Sequence, residues 1–481
     1  MSKMVFWVLD VGQGSGNFIQ VFDDSDKLVG SVLIDIGSKK SKKAAGGPSV
    51  KTVAGLLGDP ATLNLVVLSH GDGDHINLIP ELLDELKSTK LTVNRVCYGG
   101  SRIRYKGGSN SVLSRLEAHM PSGVTTKPLS PGFSSFTATD PPEPFDTFGE
   151  LEVWILKANA ATSDAKSSSS SDGSKRQRVD GGYDINTDSV VVLLGFPLSK
   201  AWFVVTGDAT ATTMYQVNEV VNDSVKKKYL QHVVMMTVPH HGSTSTSFDV
   251  RGGGEATLKT FAEKIEPVSV IGSADKVGTY KQPSARVLQY FWPYVTVGEP
   301  FWGDPAIGGR HFYTAYFAPD DHFNYDDAGT KYPWPAGANW YSVQTASDIY
   351  TNMYVDRVTG QQDIVLPPDS SARHTPNTPS TPRALGVAWQ YTVQKNTVTL
   401  QPVVNRKDYE RMVAARGFVP AGWPDPATLG DALWVSLPAA DTSAAADAGA
   451  AGPAAAAPEP ALPRRPAPTS RRPLPRLREL P

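Results

Sequence analysis

The most informative pattern in the chain is a short apolar run that ends in a dense polar cluster. Residues 65–68 are continuously apolar, and a run of this length predicts a buried strand. Two histidines and two aspartates follow within six positions: His70, Asp72, Asp74 and His75. Apolar residues then recur at helical spacing, at Ile76, Ile79, Leu83 and Leu86. The pattern therefore predicts a strand, a polar loop and the start of a helix.

Other parts of the chain show further strand-like runs, separated by turns and by occasional helical segments. These runs lie at residues 4–10, 18–22, 31–36, 188–196, 201–206, 233–238 and 265–273. An alternation of this kind predicts an α/β protein in which two sheets pack between helices.

The polar cluster has the chemistry of a metal site. Imidazole and carboxylate groups are ligands that first-row divalent metal ions prefer. Gly71 and Gly73 let the backbone turn tightly enough for the neighbouring side chains to converge. Asp208, His240 and His241 each follow a later predicted strand.

Composition and charge restrict the class of protein. The 481 residues include 46 basic and 48 acidic ones, so nucleic-acid contact would need a local basic patch rather than a general field. The single cysteine, Cys97, rules out an intrachain disulfide and suits a reducing compartment. The sequence has no apolar run of about 18 residues and no N-terminal signal segment. We therefore expect a soluble, cytoplasmic protein without membrane contact.

The chain changes character at two positions, which predicts three regions. Residues 1–295 are expected to form the main α/β domain, with a disordered insertion at 159–182. Residues 296–437 are rich in aromatic side chains and should form an accessory region with β-structure, including a hairpin at 387–404. The Ala/Pro/Arg-rich tail at 438–481 should be disordered. It either binds a protein partner through its arginines and prolines or is solvated without a partner.

The segment from His70 to His75 resembles the signature of the metallo-β-lactamase fold superfamily, which usually reads His-x-His-x-Asp-His. Asp72 stands where the second histidine is usual, and this form is similar to the metallo-β-lactamase domain of the ComEC/Rec2 DNA-uptake proteins. Four further motifs occur in the order of that branch, around Asp10, Asp35, Asp208 and His240. The resemblance covers roughly residues 4–292 and implies a four-layer αββα sandwich, here in a stand-alone protein without the membrane-spanning regions of the uptake proteins.

The resemblance implies a centre with two divalent metal ions, zinc or manganese, with magnesium also open. The expected metal ligands are His70, Asp72, Asp74, His75, Asp188, Asp208 and His240. Asp208 would bridge the two ions, because a carboxylate can offer one oxygen to each. The ligand expected before Asp208 is either Asn186 or Asp188, and the sequence leaves that choice open.

The histidine pair supplies one metal ligand and one contact to the substrate, in either order. We favour His240 as the ligand and His241 as the hydrogen-bond donor to developing negative charge. Asp74, Asp208 and His241 are the residues expected to take part directly in the chemistry. Asp10 and Asp35 should lie near the site, either as acceptors that orient the ligands or as buried structural carboxylates.

The resemblance implies hydrolysis by a metal-activated hydroxide, with phosphodiesters of nucleic acids or nucleotides as the expected substrates. A lysine run at residues 39–43 borders the metal site in this fold and would concentrate a polyanion there, although a solvated loop has the same composition. Two alternatives remain. One is an ester, lactone or amide hydrolase of the same fold, and the other is a binding protein with a degenerate metal site.

Overall fold

Two β-sheets pack face to face in the computed structural model, and helices cover the outer face of each. The structure describes residues 2–39, 46–105, 111–160, 185–230, 233–267, 269–273, 285–288, 290–291 and 294, and beyond residue 310 it describes strand segments. The layers are helix, sheet, sheet, helix, as their three apolar cores show. The expected αββα fold class is confirmed.

The first sheet contains the N-terminal strands. Its strands are β1 (Lys3–Leu9), β2 (Gly16–Phe22), β3 (Leu28–Ile36), β5 (Leu65–Leu68), β7 (Val96–Tyr98), β8 (Lys127–Pro128), β19 (Val387–Gln394), β20 (Thr397–Pro402) and β21 (Val435–Leu437). Their order across the sheet is β21-β20-β19-β1-β2-β3-β5-β7-β8. Strands β3, β5 and β7 are parallel, so their carboxyl ends lie at one edge.

The second sheet contains the strands that follow residue 145. They are β9 (Asp146–Phe148), β10 (Leu151–Lys157), β11 (Val191–Phe196), β12 (Ala201–Val205), β13 (Val233–Thr237), β14 (Ser269–Gly272), β15 (His311–Thr314), β16 (Asn339–Thr345), β17 (Thr351–Val355) and β18 (Gln362–Asp363). Neighbouring strands in this sheet are consecutive in the chain, from β9 at one edge to β18 at the other. Strands β12, β13 and β14 are parallel. A separate parallel pair joins β4 (Thr62–Leu63) to β6 (Thr92–Val93).

Helices fill the connections between the parallel strands. They are α1 (Gly47–Leu57), α2 (Gly73–Ile76), α3 (Ile79–Glu85), α4 (Val112–Glu117), α5 (Ser135–Ala138), α6 (Ala211–Val220), α7 (Asp223–Tyr229), α8 (Thr244–Ser247), α9 (Gly254–Ile265) and α10 (Ala285–Leu288). Short 3-10 turns lie at Leu86–Ser88, Arg102–Tyr105, Ile185–Asp188, Pro197–Ser199, Pro239–Gly242 and Val250–Gly252.

Alternation along the strands separates the apolar cores. In β11, Val192 and Leu194 face the first sheet, whereas Val191 and Leu193 face α6 and α9. Helices α1, α3 and α4 cover the other face of the first sheet. Each fully buried aliphatic side chain contributes about 1.5–3 kcal/mol of transfer free energy. This packing fixes the strand ends that carry the polar motifs.

The structure differs from the sequence-based expectations at two element boundaries. The apolar pattern after the polar loop predicts one helix, but the chain forms α2 and then α3, with Pro80 at the start of α3. A proline suits the first turn of a helix but lacks the N–H that a continuous helix needs. The strand expected from residue 265 begins instead at Ser269, because α9 continues to Ile265.

The expected hairpin at 387–404 is present as the antiparallel pair of β19 and β20. β19 pairs with β1 in the first sheet, and Tyr391 is buried against Phe6 and Phe203. The domain boundary at residue 295 stays a prediction. The tail at 438–481, most of the insertion at 159–182 and the side chains of the aromatic-rich segment lie outside the described residues. Among the residues that the structure does describe, no helix is long and apolar enough to cross a membrane.

Candidate metal centre

Strand ends from both sheets meet at one edge of the sandwich and carry the polar motifs. In the first sheet, Asp35 lies near the end of β3, and His70 comes two residues after β5. In the second sheet, Asp208 follows β12, and the pair His240 and His241 follows β13. The structure thus brings together side chains that are far apart in the sequence.

His70, His75 and Asp208 form a first group of potential ligand atoms, all within 4.8 Å of one another. The Nε2 atom of His70 lies 3.6 Å from Oδ2 of Asp208. The Nε2 atom of His75 lies 3.0 Å from Oδ1 of the same carboxylate. All three side chains are buried. The Asp208 carboxylate therefore presents one oxygen to each histidine.

Asp74, His75 and His241 form a second group, in which the potential ligand atoms also lie within 4.8 Å. The Nε2 atom of His241 lies 3.7 Å from Oδ2 of Asp74 and 3.3 Å from Oδ1 of Asp208. Because His75 belongs to both groups and Asp208 contacts both, the two groups adjoin each other.

These separations suit ligands of a shared ion. Two atoms that each lie about 2.1 Å from one ion are roughly 3.0 to 3.5 Å apart at the angles that metals adopt. The Nε2 atoms of His70, His75 and His241 and the Oδ1 atom of Asp208 are buried and make no hydrogen bond of good geometry. Buried polar atoms in this state are costly unless they bind something. The donor set of imidazole nitrogen and carboxylate oxygen fits a divalent metal ion.

Asp35 and Ser69 orient the two signature histidines. Oδ2 of Asp35 accepts hydrogen bonds from His75 Nδ1 at 2.8 Å and from Ser69 Oγ at 2.6 Å. Since Ser69 Oγ donates to Asp35, it acts as an acceptor for His70 Nδ1 at 3.0 Å. With Nδ1 engaged as the donor in each ring, Nε2 is the nitrogen that remains to face a metal ion.

The backbone at the histidine pair explains how both rings reach the site. His240 and His241 adopt the left-handed conformation, with φ of 45° and 54°. Such a conformation costs on the order of 1–3 kcal/mol for a residue other than glycine. In an extended strand, two successive side chains would face opposite sides of the sheet. In this turn, Nε2 of His240 lies 3.3 Å from Oδ2 of Asp208, so both histidines border the same carboxylate.

The two histidines have different surroundings, and the roles that we expected for the pair stay a prediction. Nδ1 of His241 donates to the carbonyl oxygen of Ser273 at 2.6 Å, and metal-bound histidines typically make such a bond with the nitrogen that does not bind the metal. His241 belongs to the second ligand group, whereas His240 lies outside both groups and its side chain is 17% exposed. Of the two, His241 has the surroundings of a metal ligand, and His240 is the more accessible to a substrate.

Two expected ligands lie at the border of the site. Asp72 is outside both groups, with Oδ2 at 3.8 Å from His70 Nε2 and a side chain that is 39% exposed. Asp188 is buried beside the turn at Gly100, where a Cβ built on that glycine would lie 2.5 Å from Asp188 Oδ2. It is also outside both groups. Asn186 and Asp188 are both buried in the 3-10 turn Ile185–Asp188, so the choice between these two residues as the expected ligand stays open.

The loop after β1 supports the site through its backbone. Asp10 Oδ1 accepts a hydrogen bond from Gly12 N at 3.3 Å, so this carboxylate shapes the loop. The loop then contacts the signature, since Ser15 N donates to Asp74 O at 3.0 Å. Gly37 packs against the same segment, and a Cβ there would lie 2.4 Å from the carbonyl carbon of His75. Position 37 therefore has room only for glycine.

Burial and charge set the protonation of the site. Burial and the nearby charge of His75 lower the pKa of His70 to about 4, so its ring is neutral at pH 7. Burial opposes ionisation of Asp208, but the charges of His240, His241 and His75 outweigh it and hold the pKa of Asp208 well below its usual value. The carboxylates of Asp208 and Asp35 raise the pKa of His75 despite its burial. The protonated ring of His75 therefore pairs with these two carboxylates in the metal-free protein.

The sequence analysis did not predict two residues that orient the histidines of the site. Ser69 lies between the buried strand β5 and His70, and this position could have indicated its role. Ser273 acts through its carbonyl oxygen, for which no side chain gives a signal. In the lysine run, the structure describes Lys39, whose N donates to Gln13 O at 2.5 Å, while Lys40, Lys42 and Lys43 lie outside the described residues.

The signature loop after β5 therefore faces Asp208 and the histidine pair across the edge of a four-layer αββα sandwich, with the motifs in the expected chain order. This αββα layering and the order of the motifs resemble those of the metallo-β-lactamase fold.

Comparisons with known proteins give distant structural similarities. The chain is similar to the metallo-β-lactamase fold protein YhfI from Bacillus subtilis, with 13% identity over 61% of this chain and 94% of that chain and a TM-score of 0.33. It is similar to yeast PDE1, with 10% identity over 61% and 93% of the chains and a TM-score of 0.31. It is also similar to a long form of RNase Z from yeast, with 8% identity over 59% of this chain and 40% of that chain and a TM-score of 0.29. No family model and no curated protein matches the sequence. The resemblance to the ComEC/Rec2 branch stays a prediction.

Proposed function

We propose that this protein is a metal-dependent hydrolase that cleaves phosphodiesters of nucleic acids or nucleotides. The observation that carries the proposal is the convergence of three buried imidazole Nε2 atoms on the Asp208 carboxylate, at 3.0 to 3.6 Å. Imidazole nitrogens and a carboxylate at these separations form a donor set that fits a divalent metal ion.

The residues have distinct roles in this proposal. A divalent ion supplies a Lewis acid and makes water a better nucleophile near neutral pH. His70, His75, Asp74 and His241 would hold the metal, and Asp208 would join the two groups. The 17% exposed His240 would donate a hydrogen bond to charge that develops on the substrate.

Support for a phosphodiester comes from the signature itself. With Asp72 in place of a second histidine, the loop resembles the branch of DNA-uptake proteins. The resulting donor set is rich in oxygen, which leaves manganese and magnesium open beside zinc. Lys39 lies in the loop that contacts Gln13, next to the site, and adds one positive charge at this edge.

The experiment that tests the proposal measures metal content and hydrolysis on one purified sample. We expect bound divalent metal and hydrolysis of bis(p-nitrophenyl) phosphate. Asp208→Asn should lose metal and lower hydrolysis by more than about 10³-fold, because the change weakens both ligand groups. Asp26→Asn is the matched control, since that aspartate is 75% exposed and pairs with Lys3. It should match the wild type.

Two results would contradict the proposal. Protein that binds no divalent metal would rule out the metal centre. Metal-loaded protein that cleaves p-nitrophenyl acetate or a lactone and no phosphodiester would show that the alternative, an ester or lactone hydrolase, is correct.

A further inference from the structure

A 3-10 turn, Arg102–Tyr105, packs directly against the signature loop. A Cβ built on Gly71 would lie 2.8 Å from Cβ of Arg104 and 3.1 Å from its carbonyl oxygen. Gly71 separates His70 from Asp72, so the side chain of Arg104 begins beside two expected metal ligands. The absence of a side chain at residue 71 allows this close approach.

Residues on both sides of Arg104 anchor the turn. The buried Tyr105 donates a hydrogen bond from its hydroxyl to the carbonyl oxygen of Gly99 at 2.8 Å. Arg102 binds Glu117 through two nitrogens, at 2.6 and 2.5 Å, and its charge is engaged there. Arg104 lies between these anchors and is exposed. The turn therefore fixes the backbone and Cβ of Arg104 at the border of the site.

The charge of Arg104 is opposite to that of its surroundings. The side chains of Asp72 and Asp74 are 39% and 27% exposed and line the same border. Their charges would repel an anionic substrate, and the positive charge of an arginine whose Cβ lies beside Gly71 would offset that repulsion. The planar fork of arginine also matches two phosphate oxygens at once, which a neutral ester does not offer.

We propose that Arg104 binds a phosphate oxygen of the substrate and selects phosphodiesters over neutral esters at this site. The inference rests on the proposed hydrolase function and deepens it. Arg104 would contact the substrate directly and would take no part in holding metal.

The test compares Arg104→Met, Arg104→Lys and Arg95→Met with the wild type, all as full-length, metal-loaded protein. Arg95 is a suitable control because it precedes β7, at the strand end opposite the site, and pairs with Asp146 at 3.0 Å. The substrates are bis(p-nitrophenyl) phosphate and p-nitrophenyl acetate, and inorganic phosphate serves as a competitive inhibitor.

We expect Arg104→Met to raise KM for the diester about 10- to 100-fold, the usual effect of losing one charged hydrogen-bond partner, with kcat nearly unchanged. The inhibition constant of phosphate should rise in parallel, while KM for the acetate and the metal content stay at wild-type values. Arg104→Lys should restore part of the loss, and Arg95→Met should have no effect.

Three results would overturn the inference. They are an Arg104→Met variant with wild-type KM for the diester, equal losses on both substrates, or lost metal. If the wild type cleaves the diester in these cases, the proposed function still stands. If the wild type cleaves only the acetate, the proposed function itself is wrong.

Discussion

The two sheets contribute to the site in different ways. On the first-sheet side, hydrogen bonds among side chains hold the ligands, because Asp35 and Ser69 together fix the rings of His70 and His75. On the second-sheet side, the backbone conformation positions the histidines. His240 and His241 reach Asp208 through a left-handed turn, and the ring of His241 is held by one carbonyl oxygen.

Because of this difference, substitutions should affect the two sides of the site differently. A side-chain network depends on particular residues, so a single substitution such as Asp35→Ala removes an anchor for a ligand. A strained turn depends on neighbouring packing, and the energy that holds it is spread over many contacts. We therefore expect substitutions to separate the two sides by their effects on metal binding and on turnover.

The largest expected effect distinguishes the two histidines on the second-sheet side. His241→Ala should weaken metal binding by more than about 100-fold, because it removes a ligand rather than an outer partner. His240→Ala should retain metal and lower turnover by roughly 10²- to 10³-fold, the scale of losing one charge-stabilising donor. Metal content and hydrolysis of a diester measure both. Metal loss in His240→Ala with full content in His241→Ala would restore the opposite assignment.

On the first-sheet side, Asp35→Ala should weaken metal affinity by about 10- to 100-fold, since His75 loses the acceptor that orients its ring. Titration with a competing chelator measures this affinity. Asp26→Asn serves again as the control on an exposed aspartate. Unchanged affinity in Asp35→Ala would show that packing alone orients His75.

The dependence of metal binding on pH should reflect His75 and His241. Carboxylate neighbours raise the pKa of each, so both hold protons in the metal-free protein that binding must displace. Affinity should therefore rise with pH until these raised pKa values are passed, by roughly tenfold per pH unit for each proton released. In metal-free protein the same shift stabilises the fold fully below pH 6.5, and that stability is lost as the pH rises through the raised pKa. Flat affinity between pH 6 and 8 would contradict this.

The smallest expected effect concerns the anchor of the Arg102–Tyr105 turn. The Arg102 partner lowers the pKa of Glu117 to about 2 from 4.5. The pair thus stabilises the protein above pH 4.5, and the contribution is lost as the pH falls toward 2. Because the pair is partly exposed, Glu117→Gln should lower the free energy of unfolding at pH 7 by only about 0.5–1 kcal/mol. Urea denaturation at pH 7 and at pH 3 tests this, and an equal difference at both values would contradict it.

The sequence predicted the first-sheet side of the site better than the second. The residues from His70 to His75 form one continuous motif, so their convergence needs only a strand and a tight loop. The roles of His240 and His241 depend on two φ values and on the carbonyl oxygen of Ser273, and no side-chain pattern encodes these. The two sheets were predicted from periodicity. The break between α2 and α3 was missed, although Pro80 marks it.

We propose that the two groups of potential ligands around Asp208 hold metal. Anomalous diffraction from crystals grown with Mn²⁺, measured at an energy where manganese scatters anomalously, tests it most directly. We predict peaks within about 2.5 Å of the Nε2 atoms of His75 and His241 and of the Asp208 carboxylate. Crystals that contain manganese only at exposed carboxylates, with no peak near Asp208, would contradict the account.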